Sequence, residues 1–342
     1  MNIETILGLE NNLDVEGTFI ISELNLRPFK DKDGFFLTFI LQDKSGKING
    51  KIWDNAEKIK KQLQDDDIIS IRGKVNLYNS KNQVIVDQFK IPSNDEYNLD
   101  DLVVSSSKDS KEMFEELKSI LDQIEDKDVL NLWNSFYQDN SFIEKFKVCP
   151  GGKGETHHAY NHGLLEHTLS VMKICEFFAQ HYPDNVNKSV LLFGAFLHDI
   201  GKTVAYEYKL SIKMTDIGRL HGHVVTGYQI FLNHIEKVSM HSDKRLELVK
   251  VLGHMILSHH GVAEFEAVKV PMTQEASLLA NADKIDSEVF HLDQIFSQVS
   301  DGWSQFDKMR DRLYYKSNKK EPDFTSPQNP EIKQKIVRRK PA

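Results

Sequence analysis

Histidine is concentrated in one part of this 342-residue chain, because thirteen of its fourteen histidines lie between His157 and His260. In and just beyond that stretch, imidazole and carboxylate side chains recur inside or at the ends of apolar segments. They are His167, the pair His198-Asp199, His223, the pair His259-His260, and Asp283. A carboxylate in apolar surroundings is costly unless a partner compensates its lost hydration, and a bound cation does so directly. The pattern therefore predicts a metal centre.

A single histidine on an apolar helix is more often a core residue bonded to backbone, and a lone His-Asp pair is equally weak evidence. The joint occurrence of these features on five separate helices favours metal binding instead. Imidazole and carboxylate suit manganese, iron, zinc, cobalt or nickel, whereas the lack of paired cysteines argues against structural zinc. Five neighbouring histidines could replace one member of the set: His157, His158, His162, His221 and His254.

The segments that carry these residues show helical periodicity, with apolar residues three and four apart. The pair His198-Asp199 precedes Ile200-Gly201, which predicts a helix end with Gly201 as its cap, and His259-His260 precedes Gly261 in the same way. We therefore predict an all-α domain over residues 111–315, with its motif core at 163–286. Ligands drawn from several helices suit a site inside such a bundle.

Residues 13–91 have a different pattern, with five short runs of β-branched and aromatic residues separated by turn signals. A polar, helix-compatible segment, 55–64, falls between the third and fourth runs. This layout is typical of an OB-fold, so we expect a multidomain protein with a small N-terminal β-barrel followed by a helical bundle. The polar residues 92–110 are read as a linker. Residues 316–342 contain eight Lys/Arg and three Asp/Glu and are predicted to be a basic, disordered tail.

Composition points to an ordinary globular protein, with 40% hydrophobic and 27% charged residues. Two cysteines, Cys149 and Cys175, cannot form a disulfide framework, which favours a reducing compartment. We see no signal peptide and no membrane-spanning stretch, and expect a cytoplasmic protein without a membrane partner. The net charge of −8 argues weakly against a general electrostatic grip on nucleic acid.

The ordered set of histidines and aspartates resembles the HD superfamily of metal-dependent phosphohydrolases over roughly residues 163–286. The run His-Asp-Ile-Gly-Lys at 198–202 is a strong part of that match. The resemblance implies a first ion held by His167, His198, Asp199 and Asp283. It also implies a second ion held by His223, His259 and His260, with Asp199 bridging the two.

Two ions that share a water molecule would lower its pKa enough to supply a nucleophile near neutral pH. Lys202 and Arg219 are then the nearest basic candidates for holding phosphate, although either could be a solvated surface cation. His158 or His162, in the polar loop before the first ligand helix, could protonate the leaving oxygen. Asp199 would be catalytic as the bridging ligand.

The predicted barrel offers aromatic side chains for base stacking and cations for the backbone. About half of these aromatics could equally be barrel core. The candidates for nucleic-acid binding are Phe29, Phe35, Phe36, Trp53, Tyr78, Lys51, Arg72 and Lys74.

The segments 42–54, 72–83 and 198–202 together resemble the YhaM-type 3′-to-5′ exoribonucleases, from about Val15 to Asp286. In that family an OB-fold domain precedes an HD domain. The resemblance implies hydrolysis of single-stranded RNA to mononucleotides, with single-stranded DNA as a further substrate left open. It also implies manganese, with iron, cobalt, nickel or zinc as alternatives, and it leaves a homo-oligomer open.

Two other functions remain open at this point. An HD phosphohydrolase could act on nucleotides or signalling dinucleotides and use the barrel for assembly. A scaffold that binds nucleic acid could carry a decayed HD site, although the intact ligand set argues against that.

Overall fold

The computed structural model describes residues 1–79, 81–153, 158–208, 210–262, 268–297, 299–308 and 310–317. The chain divides into a compact unit of residues 1–288, which contains the barrel and the helices around the predicted metal ligands, and a second unit of residues 289–342. The predicted basic tail, apart from Lys316 and Ser317, lies outside the described residues, as does His157.

The N-terminal region forms a closed five-stranded barrel with the strand order β1-β2-β3-β5-β4. β3 pairs in parallel with β5, and the other neighbours are antiparallel. The predicted OB-fold, with a short helix between the third and fourth strands, is confirmed. Its elements are α1 (Ile3–Leu7), β1 (Asp14–Pro28), β2 (Phe35–Asp43), β3 (Gly46–Ile52), α2 (Ala56–Lys60), β4 (Ile68–Tyr78) and β5 (Lys81–Lys90).

Alternation of side chains along β3 shows why this sequence forms a barrel wall. Ile48, Gly50 and Ile52 are buried in the barrel, whereas Lys47 and Asn49 face outward and are exposed. A Cβ atom at position 50 would overlap the buried ring of Phe39, so glycine is required there by packing.

A short connection joins the barrel to the helices. It contains a 3₁₀ turn, Leu99–Asp101, and ends where Asp109 caps the next helix by accepting backbone N–H groups of Lys111 and Glu112. The barrel contacts this connection directly, because the Lys44 N–H donates to the carbonyl of Asp101.

The helical region packs around a core rich in aromatic rings, among them Trp133, Phe136, Phe193 and Phe196. Several of its helices begin at an Asp or Asn side chain that accepts a free backbone N–H. The helices are α3 (Ser110–Asp122), α4 (Lys127–Tyr137), α5 (Asn140–Val148), α6 (Gly163–His181), α7 (Lys188–Leu197), α8 (Lys202–Ala205), α9 (Asp216–Ile235), α10 (Ser242–Ser258) and α11 (Gln274–Ser297).

Two short hairpins interrupt the predicted all-α pattern. The first consists of β6 (Tyr206–Tyr208) and β7 (Ile212–Met214) and joins α8 to α9. The second consists of β8 (Gly302–Trp303) and β9 (Tyr315–Lys316), within the unit of residues 289–342. Three-residue strands produce too little alternation to stand out from a helical background.

The β6–β7 hairpin is also the point at which the barrel touches the helical region. Asp66, in the loop before β4, accepts hydrogen bonds from the backbone N–H and the hydroxyl of Ser211 and forms a 2.6 Å ion pair with Lys213. The Gln42 side-chain amide lies 3.4 Å from the carbonyl of Leu210. The hairpin therefore ties the barrel to the segment that connects α8 with α9.

Gly201 does not cap a helix in the left-handed conformation, so that prediction is wrong. Its φ is −64°, and α7 ends at Leu197 with His198 as its C-cap. A Cβ atom at Gly201 would overlap the backbone of His223 and Gly227, so the glycine permits close packing of α9 on the loop after α7. Gly261 does have a positive φ of 80° after α10.

Among the described residues, no helix is both long and apolar enough to span a membrane.

Candidate metal centre and nucleic-acid interface

Four side chains predicted for the first ion meet at one point in the helical region. His167 Nε2, from the middle of α6, lies 3.1 Å from His198 Nε2 and 3.2 Å from Asp283 Oδ1. Asp199 Oδ2 lies 3.4 Å from His167 Nε2 and 3.3 Å from His198 Nε2. These four atoms come from α6, the end of α7 and α11, and they form a cluster of two nitrogens and two oxygens.

A second cluster lies on the other side of the Asp199 carboxylate. His223 Nε2, from α9, lies 3.0 Å from His260 Nε2 and 3.3 Å from Asp199 Oδ1. His259 Nε2, at the end of α10, lies 3.6 Å from the same oxygen. Asp199 thus faces one cluster with each of its oxygens, as a bridging ligand would.

Hydrogen bonds to backbone set the orientation of two of these imidazoles. His198 Nδ1–H donates to the carbonyl of Ala195 at 2.7 Å, and His259 Nδ1–H donates to the carbonyl of Ile256 at 2.8 Å. In both rings the Nε2 atom is therefore the one left to accept or to ligate.

The residues fit a divalent cation. Within the described part of the chain, Asp199 Oδ1 and His259 Nε2 are fully buried and have no hydrogen-bond partner. A buried carboxylate oxygen or imidazole nitrogen without a partner costs free energy, which an ion would recover. Two imidazoles with two carboxylates on one side, and three imidazoles on the other, suit a transition metal.

The electrostatics of the two clusters differ. Burial opposes ionisation of Asp199, but Lys202 and His198 outweigh it and hold the pKa of that carboxyl well below its usual range. Burial would also lower the pKa of His167, yet its hydrogen bonds with Asp199, Asp283 and Asp286 raise it well above the usual value. A cation at the first cluster would take over the charge balance that this proton provides.

In the second cluster, burial favours the neutral form of two imidazoles, those of His223 and His260. Burial lowers the pKa of His223 well below its usual value and lowers the pKa of His260 to about 4. Neutral imidazole is the form that binds a metal, so these rings need not lose a proton at neutral pH.

Asp286 belongs to the site although it was not predicted. It accepts a hydrogen bond from His167 Nδ1–H at 2.7 Å and another from the Ser170 hydroxyl, and it lies 3.1 Å from His158 Nε2. A carboxylate on the far nitrogen of a metal-ligating imidazole orients the ring and raises its basicity. Its spacing, one helical turn after Asp283 on α11, was a usable signal.

His158, His167 and Asp286 are close enough together to be a third candidate for an ion. However, His167 presents Nε2 to the first cluster and uses only Nδ1 toward Asp286. We therefore interpret this group as support for the first cluster.

Lys202 lies beside the centre, not in open solvent. Its Nζ forms a 2.6 Å ion pair with Asp199 Oδ2 and donates to the carbonyl of Gly151 at 2.5 Å. The side chain is 5% exposed, so it acts on the bridging carboxylate and would have to leave it to reach a phosphate.

The other predicted catalytic residues lie at different depths. His158 is 3% exposed and its Nδ1 lies 2.8 Å from the Tyr160 hydroxyl. His162 lies at the start of α6, and its Nδ1–H donates to the carbonyl of Lys147 in α5. Arg219 is exposed on the first turns of α9 and lines a cavity against the barrel.

Part of the predicted nucleic-acid set forms one surface on the barrel. The rings of Phe29, Phe36 and Trp53 lie with centroids 4.9–6.0 Å apart. Lys51 Nζ lies 5.3 Å from the Trp53 ring and 4.8 Å from the Tyr78 ring. This aromatic patch (Phe29, Phe36, Lys51, Trp53, Tyr78) lies on β2 and β3 and beside the β1–β2 and β4–β5 loops, where OB-folds bind oligonucleotides.

The remaining candidates lie apart from those contacts. Arg72 pairs with Glu16 at 3.1 Å and Lys74 with Asp14 at 3.8 Å, both across the β1–β4 pair. Phe35 is 40% exposed at the start of β2, and it points to the opposite face of that strand from Phe36.

Comparison with known families decides how these two regions are classed. Residues 164–288 match the family model described as HD domain, and residues 25–92 match the one described as OB-fold nucleic acid binding domain. The chain contains both. The HD domain spans every predicted metal ligand, and the OB-fold domain spans the aromatic patch.

One relative resembles the chain over most of its length. It is the 3′-5′ exoribonuclease YhaM of Geobacillus sp. (strain WCH70), which is 28% identical over 294 residues, or 85% of this chain and 87% of that protein. Among solved structures, the second OB-fold domain of replication protein A from Methanococcus maripaludis is 23% identical and has a TM-score of 0.23. That match covers 28% of this chain and 97% of that one.

Proposed function

We propose that this protein is a metal-dependent 3′-to-5′ exoribonuclease that removes mononucleotides from single-stranded RNA, with single-stranded DNA as a further substrate. The observation that carries the proposal is Asp199, which directs each oxygen to a separate imidazole cluster, at 3.3 Å from His198 Nε2 and 3.3 Å from His223 Nε2. The Geobacillus relative, which bears this activity in its name, supports the substrate class and the direction.

Seven residues would hold two ions, with manganese as our first choice and iron, cobalt, nickel or zinc as alternatives. The first ion would be held by His167, His198, Asp199 and Asp283, and the second by Asp199, His223, His259 and His260. When bound, such a pair activates water near neutral pH and neutralises charge on the scissile phosphate.

The chain's own groups prepare that centre. Lys202 holds Asp199 ionised and fixed in position from the side of the first cluster. Asp286 fixes the orientation of the His167 ring, and the Ala195 carbonyl fixes that of the His198 ring. Because these contacts exist before substrate arrives, little reorganisation is needed during the reaction.

For proton transfer to the leaving oxygen, His162 is the better of the two predicted histidines. His158 Nε2 and Nδ1 are both engaged, by Asp286 and Tyr160. Among the described residues His162 forms a side-chain hydrogen bond only through Nδ1, to the Lys147 carbonyl, which would leave Nε2 available for proton transfer. Arg219 is the exposed cation nearest in sequence to the ligand His223 and would contact substrate phosphate.

The OB-fold domain would bind the body of the strand. Stacking on an aromatic side chain is worth about 1–3 kcal/mol per base and does not depend strongly on base identity. The three packed rings and Lys51 of the aromatic patch therefore suit unpaired RNA of any sequence.

The test is digestion of a 5′-labelled and a 3′-labelled single-stranded RNA by the purified protein with Mn²⁺. We expect a ladder of shortening products from the 5′-labelled strand and immediate release of labelled mononucleotide from the 3′-labelled strand. Hydrolysis of free nucleotides or dinucleotides without RNA turnover would instead establish a small-molecule phosphohydrolase. No turnover with any divalent metal would overturn both functions.

A further inference from the structure

The outer face of β3 forms a stripe that leads away from the aromatic patch. Lys47, Asn49, Lys51 and Trp53 alternate with the buried residues of the strand and therefore project to the same side. From Lys47 to Trp53 the stripe extends about 20 Å at roughly 3.3 Å per residue.

Two cavities follow that stripe. The first, of about 650 Å³, lies on the barrel surface and is lined by Asn49, Leu77, Lys81 and Asn82 among others. The second, of about 660 Å³, lies between the barrel and the β6–β7 hairpin with the start of α9. Ile40 and Lys47 line both cavities, so the two adjoin one another at these residues.

The second cavity is lined by both domains and ends on the helix that carries a metal ligand. Its wall on the helical side includes Lys213, Thr215 and Arg219, and His223 follows Arg219 by four residues along α9. The glycine between them, Gly222, has a φ of 72°, which breaks the helix just before the ligand.

Charge in the second cavity is mixed, because four carboxylates line it as well: Glu23, Asp65, Glu207 and Asp216. The cations differ in whether they are already engaged. Lys213 is paired with Asp66, whereas Lys47 and Arg219 form no salt bridge within 4.0 Å among the described residues. One such cation comes from each domain, and both are exposed.

We propose that these two cavities form a single-strand track, in which Lys47 and Arg219 bind backbone phosphates between the aromatic patch and the metal centre. The track rests on the proposed nuclease function, because only a nucleic-acid substrate would be bound by the OB-fold domain and hydrolysed in the HD domain. Its stripe along β3 matches about six nucleotides at roughly 3.4 Å per stacked nucleotide.

The track is tested by the salt dependence of binding. The full-length protein with Mn²⁺ is titrated into a fluorescein-labelled 12-nucleotide oligouridylate whose 3′-terminal linkages are phosphorothioates, and anisotropy is followed from 50 to 400 mM KCl. Each phosphate contact on a single strand contributes about 0.7 to the slope of log affinity against log salt. The variants are Lys47→Gln, Arg219→Gln and the double variant.

We expect each single change to reduce that slope by about 0.7 and the double change by about 1.4. Lys58→Gln is the matched control, since Lys58 is an exposed lysine on α2 that lines neither cavity. It should retain the wild-type slope. Wild-type slopes in the Lys47 and Arg219 variants overturn the track.

Failure of the track is distinguishable from failure of the proposed function. If the wild-type protein shortens RNA from the 3′ end while the variants bind with unchanged slopes, the nuclease assignment stands and the route is wrong. If the wild-type protein neither binds the phosphorothioate strand nor shortens unmodified RNA, both proposals fall.

Discussion

The candidate metal centre of the HD domain and the aromatic patch of the OB-fold domain place their side chains in opposite surroundings. In the centre, ionisable groups are almost fully buried: His167 and His198 are 0% exposed and Asp199 is 2% exposed. In the patch, rings that could have been buried stay in solvent, with Trp53 38% and Tyr78 58% exposed. The buried charges of the centre are stabilised by one another and by the neighbouring Lys202, whereas the patch must remain open to receive bases.

The two regions also differ in how strongly their parts depend on one another. His167 and Asp286 are 119 residues apart in sequence, and each contact in the centre constrains the next through the shared carboxylate. The patch is assembled from strand ends whose side chains touch in pairs. We therefore expect all-or-none losses in the centre and graded, salt-dependent losses in the patch.

The largest effect is expected from Asp199→Ala. Among the described residues, Asp199 is the carboxylate that faces both imidazole clusters, so turnover of RNA should fall by about 10⁴-fold or more, as for other residues that act as a unit. Measurement of single-turnover rates with Mn²⁺ tests this, and binding of RNA to the patch should change less than twofold. Substantial residual metal-dependent activity would contradict the assignment.

Removal of metal should lower the thermal stability of the HD domain only. At a concentration 100 times its Kd, each ion that binds the folded state alone stabilises it by about 2.7 kcal/mol. Chelation should therefore lower the unfolding midpoint of the HD domain and leave that of the OB-fold domain unchanged. Differential scanning calorimetry of the full chain with and without EDTA measures both transitions. Equal shifts would mean that the ions do not reside in the helical centre.

Asp286→Asn should weaken the binding of the ion at the first cluster and leave the binding of the second ion unchanged. Loss of the carboxylate behind a metal-ligating imidazole typically costs about 10- to 100-fold in metal affinity. Isothermal titration with Mn²⁺ should resolve one weakened site, and the EPR signal should change from an exchange-coupled pair toward an isolated ion at limiting Mn²⁺. Asp293→Asn, an exposed change on the same helix, is the control. Equal weakening of both ions would refute a role specific to His167.

Trp53→Ala should reduce RNA affinity without affecting the chemical step. Loss of one stacking platform costs about 1–3 kcal/mol, so the Kd for a 12-nucleotide strand should rise by about tenfold. The rate of hydrolysis of a trinucleotide should remain unchanged, because it is too short to reach from the HD domain to the patch. A loss of equal size on both substrates would show that Trp53 affects hydrolysis as well as RNA binding, and would contradict separate roles for the two regions.

The smallest effect is expected from Arg72→Gln and Lys74→Gln. Both cations are already paired with acidic residues across β1 and β4, away from the ring contacts of the patch. Exposed pairs of this kind contribute little. RNA affinity should change less than twofold in each variant, measured by anisotropy beside Trp53→Ala. A loss as large as that of Trp53→Ala would extend the interface to β4.

Much of the fold was predictable because its signals are local. Alternation in segments such as 46–52 is dictated by the two-residue period of a strand, and helical periodicity around His167 by the 3.6-residue turn. The wrong prediction at Gly201 has a clear cause. A glycine after a helix can serve a left-handed cap or a close approach of another backbone, and only the position of α9 distinguishes them.

The candidate site was partly predictable for a similar reason. Histidine and aspartate inside apolar segments are conspicuous, whereas Asp286 lies in a more polar part of α11 and is marked only by its position one helical turn after Asp283. Lys202 was predicted to hold phosphate, and only the structure shows that it is paired with Asp199. A contact between side chains far apart in the sequence leaves no signal in amino-acid composition or in hydrophobic periodicity.

The sequence by itself determined the two domain classes, the order of the five barrel strands and of the longer helices, and the set of residue types able to hold a cation, because each follows from short-range pattern and side-chain chemistry. Only the tertiary structure decided which oxygen of Asp199 faces which imidazoles, which acid supports His167, and which lysines are already neutralised. Those facts depend on distances of a few ångströms between segments far apart in the chain. Such distances are set by the packing of the whole domain.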